Sequence, residues 1–96
     1  MDPELRGLLE MTIDNFLTEK SLESSIGIMR HFKPFIKSEE EAIFGYMIGI
    51  LQSLNLTNIV TKYNRLPNKN EINTFGNIIE SKAPYIKSKI REAVNR

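Results

Sequence analysis

A chain of 96 residues is one domain, near the lower limit of what a single apolar core holds together unaided. Its 41% apolar content is ordinary for a globular fold, and the absence of cysteine excludes both a disulfide framework and a thiolate metal site. Thirteen basic and twelve acidic residues leave a net charge of +1, far less than a dedicated nucleic-acid module carries.

The charge is unevenly placed. Residues 1–41 hold nine acids and five bases, residues 62–96 hold eight bases and three acids, and residues 42–61 carry none. Such polarity can orient a molecule on a partner or join copies head to tail, although two solvated faces of opposite sign explain it as well. The acidic opening MDPELRGLLE has no basic leader before an apolar run, so no secretory signal is expected and a cytoplasmic location is.

Helical periodicity runs from the start. Leu5, Leu8, Leu9, Ile13, Phe16 and Leu17 form one stripe, with Asp2 as N-cap and Pro3 at the first helical position, predicting a helix over 3–18. A tight connection near TEKS leads to a second helix over 22–33, with Leu22, Ile26, Met29 and Phe32 inward and Pro34 as its stop. Ser38 with Glu41 reads as a capping box, and Glu39 and Glu40 add charge favourable to a helix start.

The helix opened there is apolar on every side as far as Leu51, which marks it as the central element. Ile43, Met47, Ile50, Leu51 and Leu54 share one face, whereas Leu56, Ile59, Val60 and Tyr63 lie nearly opposite. Either one long helix buries different sides at its two ends or it breaks near Asn55, and a kink or break is the expectation. RLPNKN is a loop, after which Asn68 and Glu71 can cap a fourth helix with Ile72, Phe75, Ile78 and Ile79 inward, up to about Lys82. Pro84 then starts a fifth helix whose inward residues are Ile86, Ile90 and Val94. No segment alternates with period two, so the expected fold is an all-α bundle of four to five helices.

The uncharged segment 42–61 also needs testing as a membrane span. Its first half qualifies, and Gly45 and Gly49 have GxxxG spacing, but Gln52, Ser53, Asn55, Thr57, Asn58 and Thr61 make the second half too polar for hydrocarbon. A buried core helix without a membrane span is expected, with the glycines allowing close helix approach.

PFIKS at 34–38 recurs as PYIKS at 84–88. The 50-residue offset also aligns Leu22 with Ile72, Ile28 with Ile78 and Leu9 with Ile59, as two pseudo-repeated helical hairpins over 5–38 and 55–88 would. The favoured account is simpler: a stop-and-restart device in which proline ends a helix, the aromatic and isoleucine plug the bundle end, and lysine stays in water.

Chemistry is sparsely provisioned. His31 is the sole histidine, in MRHFK, where a surface position near a helix end is expected, and no nucleophile, base and orienter set forms around it. Glu10 and Asp14 lie one turn apart without a histidine beside them, and no glycine-rich phosphate loop exists, so no metal, cofactor or catalytic residue is expected. NLT at 55–57 matches a glycosylation sequon, but three letters recur by chance.

Two functional expectations follow. Thirteen isoleucines, nine leucines and eight aromatics exceed what so small a bundle hides, which points to a non-catalytic interaction module: an adaptor, accessory subunit or self-associating scaffold, with a C2 dimer as the default form. Its expected contacts are Phe35, Tyr85, Ile86, Ile90 and Val94. The alternative is a nucleic-acid accessory protein using Arg30, Lys33, Lys37, Lys82, Lys87, Lys89 and Arg91, with Phe35 or Tyr85 for stacking. A pocket joining His31 to a carboxylate would make it an enzyme, the least supported reading.

Overall fold

Each helix begins where a side chain satisfies a free backbone N–H. Asp2 accepts from Glu4 N (3.0 Å) and Thr18 from Ser21 N (3.2 Å), Ser38 accepts from Glu41 N (3.3 Å) and Asn68 from Glu71 N (2.8 Å). These caps open α1 (Pro3–Phe16), α2 (Glu19–Arg30), α3 (Glu39–Tyr63) and α4 (Lys69–Val94). The computed structural model describes residues 2–96, and among the described residues there is no strand, so the fold is an all-α bundle. Asn68 and Glu71 make both halves of a capping box. Ser38 makes only its own half, because the Glu41 carboxylate pairs with Lys87 at 2.9 Å instead.

The bundle has three rods. α1 runs antiparallel to α3: Tyr63 donates to Asp2 (2.7 Å), Lys62 pairs with Glu4 (2.9 Å), and Asn58 donates to Thr12 (2.9 Å). α2 continues in the same direction, ending where Arg30 pairs with Glu39. Against α4 and the residues that follow it the order repeats, with Asp14 on Lys82 and Glu19 on Arg96. α1 and α2 are thus one rod interrupted at Leu17, whose φ of −81° and ψ of 55° make an inverse γ-turn closed by Thr18 N to Phe16 O at 2.8 Å. α3 and α4 form an antiparallel hairpin through the turn 64–68, with Asn64 in the left-handed region (φ 53°) as the C-cap of α3. The result is an elongated body of 40 × 22 × 20 Å.

This geometry does not show the paired hairpins suggested by the 50-residue offset. Only the second segment is a hairpin; the first is a rod that runs on in one direction. The first helix stops at Phe16, and the second starts at Glu19 and ends at Arg30, three residues sooner than expected. Pro34 has no N–H to give the Arg30 carbonyl and its ring would strike it, so the chain unwinds into a single 3-10 turn over Lys33–Phe35.

α3 is continuous through Asn55, contrary to the expected break. Its buried residues, Ile43, Met47, Leu51, Asn55 and Ile59, follow each other by i+4, and each such step advances the stripe by about 40°. The inward face winds around the helix, which is how one unbroken element meets α2 and α4 at its start and α1 and α4 at its end. Asn55 lies fully buried on this stripe, and neither side-chain polar atom has a hydrogen-bond partner among the described residues.

The expected fourth and fifth helices are one. α4 passes through Pro84 because Ile78 and Ile79 before it and Ile86 and Ile90 after it occupy one buried stripe. Burying the two later isoleucines contributes roughly 2 kcal/mol each, which outweighs the roughly 3 kcal/mol cost of an interior proline.

Candidate functional site

The residues expected to meet a partner do not form one surface. Ile86 and Ile90 are 0% and 1% exposed and belong to the core, and Val94 is half-buried against it. Phe35 stands almost free in the 3-10 turn, 86% exposed, at the α2 end of the bundle. Tyr85 is exposed on the side of α4, with Lys89 Nζ 5.6 Å from its ring centre. Of the expected contacts only Phe35 and Tyr85 are exposed, and further exposed apolar side chains stand at other positions.

The larger apolar surface lies where α3 turns into α4. Leu66 is 73% exposed and Ile72 55%, and Leu56 and Val60 on the flank of α3 are about 40% exposed. Gln52, Leu56, Pro67, Ile72 and Phe75 line a groove of about 250 Å³ between the two helices. Periodicity alone placed Ile72, Leu56 and Val60 inward. In α4 the inward position beside Phe75 is instead taken by Glu71, which bonds the Asn68 N–H and Arg65 and so turns Ile72 out. In α3 the winding stripe selects Asn55 and Ile59, leaving Leu56 and Val60 on its flank. The charge map held the available signal: no charged residue stands between 42 and 61, on inner or outer positions.

The glycines are not close-contact sites within the chain. A Cβ added at Gly7, Gly27, Gly45, Gly49 or Gly76 would meet nothing within 4 Å, contrary to the expected tight helix approach. Gly45 and Gly49 lie exposed on α3, so the outer side of this helix combines hollows, apolar side chains and no charge over its middle.

The basic residues are largely occupied. Lys87 pairs with Glu41, Arg91 with Glu40, Arg30 with Glu39 and Lys82 with Asp14. The antiparallel hairpin brings the acidic start of α3 against the basic end of α4, so much of the polarity seen along the sequence is cancelled inside the molecule. Lys33, Lys37 and Lys89 are the remaining members of the expected nucleic-acid set, and they come from the 3-10 turn, the loop after it and α4. Lys87 also sits 5.1 Å from the Phe44 ring centre.

Among the described residues no group of three or more histidine, aspartate or glutamate side chains is arranged to hold a metal ion. Glu10 pairs with Arg6 and Asp14 with Lys82. His31 is exposed just past α2. The shifted acids are tethers. Arg65 and the Asn68 N–H hold the Glu71 carboxyl down to about 2, and the Tyr63 hydroxyl lowers that of Asp2. By length and composition α3 is apolar enough to cross a membrane; here it is the central rod of the bundle. No family model matches this chain, and neither a curated protein by sequence nor a solved structure by fold does.

Proposed function

We propose that the protein is a small non-catalytic interaction module, working as an adaptor, accessory subunit or self-associating scaffold. The supporting observation is the surface where the uncharged flank of α3 meets the α3–α4 turn: Leu56, Val60, Leu66 and Ile72 are exposed there, and Leu56 and Ile72 line one groove. Apolar side chains gathered in this way on a small soluble body are the usual mark of a docking surface. A nucleic-acid role has less support, because four of its seven expected basic contacts already face carboxylates.

The test is affinity capture with two baits, the natural chain and the double variant Leu66→Asp/Ile72→Asp, followed by reconstitution with the purified captured protein. Both positions are exposed, so the variant should fold, as checked by circular dichroism. Loss of one bound protein from the variant bait supports the reading. Equal capture by both baits, together with salt-sensitive binding to a DNA or RNA oligomer, would overturn it in favour of the basic surface.

A further inference from the structure

The outer side of α3 is complementary to itself. Gly45, Gly49, Leu56 and Val60 are all exposed and fall within about 60° of one another around the helix axis. The two glycines sit four residues apart with open space above them, and the two apolar side chains have the same spacing. When two such helices meet antiparallel about a twofold axis between residues 52 and 53, position 45 of one copy faces 60 of the other, and 49 faces 56. Each protruding Leu56 and Val60 then enters a glycine hollow of the second copy. Nothing in the chain's own packing uses these hollows.

From this relation we infer that the occupant of the α3 surface is a second copy of the same chain, docked as an antiparallel C2 helix pair. The inference rests on the interaction-module reading and names its partner. The matching itself supports the direction: a parallel pair would set glycine against glycine and Leu56 against Leu56, whereas antiparallel placement fills each hollow and opposes the two helix dipoles. Between Gly45 and Val60 the contact holds no charge to desolvate, and an isologous interface of this kind closes after two copies. From Gly45 to Val60 the contact spans about 22 Å, which places it among small, weak interfaces, so the dimer forms in a concentration-dependent equilibrium.

Sedimentation velocity on the full chain from micromolar to millimolar concentration tests this. A reversible monomer–dimer equilibrium is expected, and Gly49→Leu, which fills the hollow, should weaken it about tenfold or more. The same substitution should leave the monomer folded and more heat-resistant, because leucine is a better helix former and meets no neighbour there. The chain has no cysteine, so Gln52→Cys reports on the axis: under mild oxidation it should cross-link to itself, and Asn73→Cys on α4 should not. A strict monomer, a dimer indifferent to Gly49→Leu, or equal cross-linking at 52 and 73 would each overturn the inference. A strict monomer that still loses a captured protein through Leu66→Asp/Ile72→Asp would sink the second copy alone and leave the module reading standing.

Discussion

Arg65 and Glu71 clasp the α3–α4 turn through two parallel hydrogen bonds, Nη1 to Oε1 at 2.7 Å and Nη2 to Oε2 at 2.9 Å. Oε1 also accepts from the Asn68 N–H at 3.0 Å, so one carboxylate closes the turn and completes the N-terminal box of α4. Fork-on-fork geometry with a planar guanidinium is among the stronger ion-pair arrangements, and here the carboxylate is nearly buried while the arginine is partly wet.

The first prediction concerns pH. The Glu71 carboxyl is held at about 2 in the folded chain, below its ordinary value of 4.5. A depressed folded value means the contribution to stability is fully present above about pH 4.5 and is lost as pH falls towards 2. Glu71→Gln should therefore destabilise the fold by about 1–2 kcal/mol at neutral pH, given the exposure of Arg65. The gap between variant and natural chain should close between pH 4.5 and 2. Urea midpoints measured across that range check it, and a gap independent of pH would show that the carboxylate's charge is not what closes the turn.

The second prediction concerns the buried amide. Asn55 lies between Leu51 and Ile59 on the inward stripe of α3, fully buried, with both polar atoms of its side chain unsatisfied among the described residues. A buried polar group without a bond costs about 1–3 kcal/mol, so Asn55→Leu, which keeps the branched heavy-atom outline and is wholly apolar, should stabilise the chain by about 1–2 kcal/mol. The urea slope should stay unchanged, because the fold itself is kept. A fall in stability would mean that the amide is bonded to something the interior holds, and that its place in the core has a structural use.

The same residue marks how far the sequence carried. The helix starts were legible because caps are local: Asp2, Ser38 and Asn68 each sit where a short polar side chain precedes an apolar stripe. All-α architecture was legible for a similar reason, since periodicity needs only a few turns. The breaks were not. A polar residue at 55 and a change of face beyond it resemble a kink, yet an i+4 stripe that winds about 40° per step gives the same pattern in an unbroken helix. The outer surface was hidden in turn, because deciding whether Leu56 or Asn55 faces inward requires knowing where α1 and α4 lie.

PFIKS and PYIKS make the point most directly. Their letters differ at one place, but the first is a 3-10 turn leading into loop and the second lies inside α4. After Pro34 the chain offers an exposed Phe35 and a half-buried Ile36, so no inward stripe continues and the proline ends the helix. After Pro84 it offers Ile86 and Ile90 in register with Ile78 and Ile79, and the core carries the helix through. The expected stop therefore holds at Pro34 and fails at Pro84, on a difference that lies several residues beyond the pentapeptide, and the expected plug fails at Phe35, which stands in solvent.

A third prediction separates the two prolines. Pro84 deprives the Glu80 carbonyl of its intrahelical donor, and its ring crowds that carbonyl, while its own side chain is exposed and contributes little packing. Pro84→Ala should restore the bond and stabilise the chain by about 1–3 kcal/mol, raising the thermal midpoint with little change in the circular-dichroism spectrum, since the helix is already formed. Pro34→Ala should behave differently: no buried stripe lies beyond it to be gained, and alanine would let α2 lengthen only at the expense of the turn that brings Arg30 to Glu39. Its effect on stability should be small or unfavourable. Thermal melts of the two variants side by side decide the matter, because equal stabilisation by both would mean that local proline chemistry, and not the Ile86 and Ile90 register, determines whether the pentapeptide is helical.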